Sequence, residues 1–122
     1  GNGYYFNADS ARMSLVKKDI LHALELLNME VEMSHLEVAE FQHEISFKYA
    51  DALKSADNAL TFKFVVKAIA EMHGLYATFM AKPIFGVNGS GMHTHQSLAS
   101  VADNQNAFYD ETDPYSLSPV AR

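Results

Sequence analysis

The alternation of apolar and polar positions predicts two helices and four strands. Val16, Ile20, Leu24 and Leu27 recur at helical spacing, with Ala23 beside them, while Lys17, Lys18 and Glu25 fall off that stripe. Asp9 or Ser10 is placed to cap this helix, which is expected to run to about Asn28 after an entry loop over residues 1–9. At Glu30 the pattern changes. Val31 and Met33 alternate with Glu30, Glu32 and Ser34, which predicts a strand over residues 30–39. A second strand is expected over residues 42–49, with Ile45, Phe47 and Tyr49 on one side and Glu44, Ser46 and Lys48 on the other. The two are close in sequence and are expected to pair antiparallel. A second helix is predicted over residues 57–73, burying Leu60, Phe64, Val65, Ala68, Ile69 and Met72, with Gly74 as its C-terminal cap. Residues 75–84 and 92–98 read as two more strands, joined through Gly86-Val87-Asn88-Gly89-Ser90-Gly91. Beyond Leu98 the chain turns polar, and residues 99–122 are expected to form a loosely packed tail.

The order helix, two strands, helix, two strands defines an α+β class. Its expected form is a two-layer domain, a four-stranded and mostly antiparallel sheet with two helices on one face. The uncovered face of such a sheet is a platform for polar chemistry.

Composition narrows the chemistry. The chain has 122 residues, one domain's worth, and no cysteine, so disulfides, thiolate metal sites and cysteine nucleophiles are excluded. The formal charge of −6 is spread along the chain. Phosphate backbones are held by clustered Lys and Arg, so nucleic-acid binding is disfavoured. No apolar run approaches the ~18 residues that span a membrane. The first residues, Gly1-Asn2-Gly3-Tyr4-Tyr5-Phe6, lack the basic start of a signal peptide, so the expected location is cytoplasmic.

Three stretches can carry chemistry. The run from Glu32 to Ile45 concentrates carboxylates and imidazoles. Glu37 ends one expected strand and Glu44 begins the next, so a short connection brings two like charges together. That is costly unless a cation neutralises them, and hard oxygen ligands favour Mg²⁺ or Mn²⁺. A solvated hairpin edge, charged against aggregation, fits the same residues. His93 and His95 lie two apart on an expected strand and share a face, which Ser97 continues. They suit a metal, or are two surface histidines. Asn88-Gly89 is a hairpin-turn signal, and equally a loop whose backbone can approach a small carboxylate. No Gly-Lys-Ser/Thr follows it, so it is not a phosphate loop of that kind.

Together these stretches resemble bacterial-type glutamine synthetase. The match is carried by residues 32–45, by Phe47-Lys48-Tyr49-Ala50-Asp51-Ala52-Leu53, and by the long run from Lys82 to Leu98 that includes Asn88-Gly89-Ser90-Gly91-Met92-His93-Thr94-His95. It extends over roughly residues 3–122 as part of that family's catalytic domain. The resemblance implies an ATP-dependent glutamate–ammonia ligase. There the γ-carboxylate of L-glutamate takes the γ-phosphoryl group of ATP, and ammonia displaces phosphate from the γ-glutamyl phosphate. Two divalent cations, Mg²⁺ or Mn²⁺, stabilise the transferred charge. Carried onto this chain, Glu37 and Glu44 hold one metal and His93 the other. Asn88 and Gly89 meet glutamate, while Glu32, His35, Tyr49, His95 and Ser97 line the nucleotide side, with Tyr49 near the adenine. The implied assembly is a ring-shaped homo-oligomer with sites between subunits.

Departures from the family pattern accompany the match. Leu36 stands where the family has a second His, and Glu40-Phe41 where it has Pro-Gly. The family's N-terminal domain, its Glu-x-Glu strand and its phosphate-binding arginines have no counterpart among these residues. The expectation is therefore a partial catalytic domain, inactive alone. The alternatives are a diverged non-catalytic or regulatory relative, and a γ-glutamyl ligase acting on another amine.

Overall fold

The computed structural model describes residues 8–37, 39 and 41–122, with side chains from residue 11 onward. The expected entry loop up to residue 7 and Glu40 lie outside the described residues.

The first helix, α1, spans Ala8–Leu26. Asp9 and Ser10 are already helical, so neither is the cap that the sequence suggested. Its stripe is as expected at Val16, Ile20 and Leu24, all buried, but Leu27 is half exposed. Leu27 lies past the last turn, where the chain reverses. Asn28 adopts φ +56°, the Asn28 N–H donates to Glu25 O at 2.9 Å, and the Met29 N–H donates to Leu24 O at 2.9 Å. This paired closure is a Schellman ending, and its usual apolar clasp is present: Leu24 and Met29 are both in the core.

The second helix, α2, spans Ala52–Met72. It starts earlier than the pattern predicted because Asp51 caps it, Oδ1 accepting from the Lys54 N–H at 2.9 Å. Gly74, at φ +66°, ends it as expected, with Gly74 N–H to Glu71 O and Leu75 N–H to Ala70 O, both 2.8 Å. The buried face is rotated from the expected one. Phe62, Val65, Val66, Ile69 and Ala70 face inward, while Leu60, Phe64 and Met72 are exposed. The cause is that α2 carries apolar residues on two sides, so helical spacing alone does not choose between them.

Between the helices lies one antiparallel hairpin. Strand β1 is Val31–Leu36 and β2 is His43–Phe47, paired as Val31↔Phe47, Met33↔Ser46, Ser34↔Ile45, His35↔Glu44 and Leu36↔His43. Val31, Ile45 and Phe47 pack onto the core of Val16, Ile20, Leu24, Met29 and Val65. Phe62 joins them edge-on, its ring 5.0 Å from that of Phe47 and 5.6 Å from that of Phe79. Helices therefore cover one face of the hairpin and leave the other open. The pairing slips between Val31 and Met33, so Glu32 is the extra residue of a β-bulge. The simple alternation that puts Val31 and Met33 on one face is thus broken, and Met33 is exposed.

The four-stranded sheet is not found: among the described residues the sheet has two strands. Residues 75–84 and 92–98 form no ladder. Their apolar side chains satisfy a strand pattern, but a strand also needs a continuous ladder for its N–H and C=O groups, and these segments make isolated bonds instead, such as Ser90 N–H to Ala81 O and Ala107 N–H to Leu98 O. By proximity the chain divides at Ser90 into two units. The second, Gly91–Arg122, is tied by two isolated bridges, Ala99↔Asn106 and Tyr109↔Leu117. Asp113 organises its turns, Oδ1 accepting from the N–H groups of Tyr115 at 2.9 Å and Leu117 at 3.3 Å while Oδ2 pairs with Arg122. The buried Ser118 hydroxyl donates to Ala107 O at 2.5 Å. No helix among the described residues is long and apolar enough to cross a membrane.

Candidate metal and substrate site

The bulge decides which side chains reach the open face. Without the extra residue at Glu32, Val31, Met33 and His35 would share the core face. With it, Ser34 lies across from Ile45 on the core side, and His35 lies across from Glu44 on the open side. Glu37 follows just past β1, its N–H donating to Gln42 O at 2.9 Å as the last rung of the hairpin. His35, Glu37 and Glu44 consequently meet, each half-buried, with one donor atom from each within 4.8 Å of the others. His35 Nδ1 is 3.5 Å from Glu37 Oε1, and His35 Nε2 is 3.8 Å from Glu44 Oε1. The Ser46 hydroxyl donates to Glu44 Oε1 at 3.4 Å.

Two carboxylates around one imidazole suit a divalent cation that takes oxygen and accepts one nitrogen, such as Mn²⁺ or Mg²⁺. Glu37 and Glu44, both expected at one metal, lie close together. His35, expected on the nucleotide side, stands between them.

The opposite face of the same hairpin end behaves differently. His43 points toward the helices, its Nε2 buried without a hydrogen-bond partner among the described residues, as is Ser34 Oγ. Burial, reinforced by the nearby Lys17 ammonium, pushes the His43 pKa down. Lys17 Nζ itself donates to Ser34 O at 2.9 Å.

Among the described residues of the connection between the strands, Phe41 is strained. Phe41 adopts φ +61°, the left-handed region that costs a bulky side chain roughly 1–2 kcal/mol and glycine almost nothing. Phe41 occupies the second position of the Glu40-Phe41 departure, where glycine belongs to the family pattern. The turn is one that glycine adopts without that cost.

The glycine loop is fixed to this hairpin. The Ser90 N–H donates to Ala81 O at 2.9 Å, and a Cβ at Gly89 would stand 2.3 Å from that same carbonyl oxygen, so only glycine fits. Gln42 Nε2 donates to Gly89 O at 2.8 Å, and Gln42 Oε1 accepts from the Ala39 N–H at 3.3 Å. Gln42 was given no role by the sequence; a single amide side chain produces no periodic signal, and only its place beside His43-Glu44 set it apart.

The remaining candidates are not assembled. Glu32 sits exposed at the bulge, Asn88 is exposed, and Tyr49 is 99% exposed just after β2. His93, His95 and Ser97 belong to the second unit, exposed and outside any strand, so the shared strand face expected for them is not formed.

Two helices on one face of an antiparallel hairpin, with a carboxylate–imidazole cluster on the other, define the class as an α+β domain. Comparison with known proteins makes this specific. The family model for the glutamine synthetase catalytic domain matches residues 1–122. The chain is 55% identical over 119 residues to glutamine synthetase of Clostridium saccharobutylicum and 54% identical to that of Thermus thermophilus, in each case over 98% of this chain and 26% of the relative. Among solved structures, Plasmodium falciparum glutamine synthetase superposes with a TM-score of 0.80 at 39% identity, over 95% of this chain and 22% of that one. Ligand-free GmaS superposes equally well, at 38% identity over 95% of this chain and 27% of that one. The chain belongs to the glutamine synthetase family. It spans about a quarter of the length of the curated relatives it matches.

Proposed function

We propose that this chain is the part of a glutamate–ammonia ligase that contributes ligands to two divalent cations and meets the glutamate substrate, within a longer protein that supplies the rest of the site. The observation that carries this reading is the meeting of His35, Glu37 and Glu44 on the open hairpin face. Glu37 and Glu44 hold the first cation, and His93 contributes to the second. Divalent cations there neutralise the phosphoryl group passing from ATP to the γ-carboxylate of glutamate. Asn88 and Gly89 present backbone and amide groups to glutamate, in a loop narrow enough that Gly89 admits no side chain. Glu32, His35, His95 and Ser97 face the nucleotide, and the exposed Tyr49 ring is free to stack on adenine. Ammonia completes the reaction by displacing phosphate. The parent is a ring-shaped homo-oligomer working in the cytoplasm, and this segment alone is inactive.

The test uses the longer protein that carries this segment, with glutamine formation from glutamate, ATP and ammonia followed under Mn²⁺ or Mg²⁺. Glu37→Ala and Glu44→Ala are each expected to lower the rate by about 100-fold or more and to weaken Mn²⁺ binding by calorimetry. Full activity in both variants would remove the metal assignment.

A second reading rests on Phe41. A bulky side chain held at φ +61° beside the cluster, together with Leu36 for the family's His, is a site altered at its metal end. It fits a relative that uses another amine or has lost the chemistry. Turnover with methylamine but not ammonia, or with neither, would select it.

A further inference from the structure

Gln42 joins two parts of the site that the reaction must hold at a fixed separation. Its backbone carbonyl accepts from the Glu37 N–H at 2.9 Å, and its own N–H donates to Ala39 O at 3.1 Å. Its side-chain carbonyl accepts from the Ala39 N–H at 3.3 Å. Its side-chain amide then leaves the hairpin and donates to Gly89 O at 2.8 Å, with Ser90 Oγ at 3.5 Å as a weaker second acceptor. The bond is partly buried and spans 47 residues of sequence. On its other side the loop is held by the Ser90 N–H to Ala81 O bond. Glu44, which lies across from His35, follows Gln42 by two residues.

We propose that Gln42 is a positioning residue, which fixes the glutamate-binding loop at Gly89 to the hairpin that carries Glu37 and Glu44. The proposal rests on the ligase reading for its substrate, but the clamp itself is a feature of this chain. Both ends of the amide are needed. Oε1 must accept to brace the turn, and Nε2 must donate to hold the loop. A carboxylate keeps the first function and reverses the second, because Gly89 O then faces another acceptor. With the loop released, glutamate binds a site that has to be ordered on each turnover, and that cost falls on glutamate rather than on the metal.

The experiment compares Gln42→Glu and Gln42→Met with the unaltered longer protein. Hydrogen–deuterium exchange at residues 88–91 reads the clamp without any need for turnover, and steady-state kinetics read its consequence. Gln42→Glu is expected to speed exchange at residues 88–91 while leaving the Ala39 amide protected. It should raise KM for glutamate about tenfold, with Mn²⁺ affinity and KM for ATP within about twofold. Gln42→Met, of similar length and without hydrogen bonds, should speed exchange at both places. Unchanged exchange at residues 88–91 in Gln42→Glu would overturn the clamp. Faster exchange with unchanged KM for glutamate would overturn the positioning role. An equal loss in every kinetic constant together with a lower melting temperature would mean a merely structural residue and would overturn it too. If the unaltered protein makes no glutamine, the ligase reading falls, and the exchange data still decide whether Gln42 holds the loop.

Discussion

The two faces of the hairpin are built from the same two strands and the residues that join them, and do opposite things. The inner face holds Val31, Ile45 and Phe47 against the helices, and its stability comes from apolar surface withdrawn from water. The outer face gathers His35, Glu37 and Glu44, where two carboxylates that repel each other meet around one imidazole. The lesson is that packing and chemistry are separated by one backbone irregularity. The bulge at Glu32 turns His35 outward and sends Ser34 inward, so it trades a buried serine hydroxyl without a partner among the described residues for an outward imidazole beside two carboxylates.

The sharpest way to test that separation is to cut each face in turn. Phe47→Ala removes a ring that meets Phe62 and rests on the core, and is expected to cost about 2 kcal/mol in denaturant unfolding. Met33→Ala on the outer face should cost less than about 0.5 kcal/mol. Similar losses for both would mean that the faces are not distinct.

The connection between the faces offers a change of opposite sign. Phe41→Gly relieves the left-handed backbone at φ +61°, and part of that gain is offset by the greater freedom of glycine in the unfolded chain. The expected net is a stabilisation of about 0.5–1 kcal/mol, seen as a higher melting temperature. A fall in melting temperature would show that the Phe41 ring, though exposed, contributes packing that outweighs the strain.

The smallest effect is a pH dependence confined to the inner face. The folded-state pKa of His43 is lowered, mainly by burial and then by Lys17. The unfolded chain therefore takes up the proton first as pH falls. The stability that neutral His43 represents is complete above the ordinary histidine value of about 6.5, and drains away as pH drops below it toward the folded pKa. His43→Asn should flatten the melting-temperature profile below about pH 6.5 relative to the unaltered protein. An unchanged slope would mean that His43 is not the group responsible.

Legibility in the sequence followed how local each signal was. The α1 stripe of Val16, Ile20 and Leu24 was readable because polar residues flank it, leaving one face to bury. Gly74 was readable as a helix end because a left-handed residue there is chemically specific. The antiparallel hairpin was readable from two short runs close together, and Glu37 and Glu44 from their place at its ends. By contrast, α2 is apolar on two sides, with Leu53, Leu60 and Phe64 exposed opposite Val65 and Ile69, and spacing could not say which side is covered. The two further strands expected over residues 75–84 and 92–98 do not form here, because side-chain pattern does not reveal whether a backbone partner is within reach.

What the sequence determined by itself is the local material: two helices with their endings, a hairpin, a glycine loop, and the carboxylates and imidazoles that match the family. Tertiary structure alone decided the rest. Which face of α2 packs depends on what lies beside it. Whether His35 points in or out depends on a bulge set by pairing across the hairpin. That Gln42 reaches Gly89 depends on two segments 47 residues apart being brought within 2.8 Å. Each of these is a relation between distant positions, and no periodicity within a single segment encodes it.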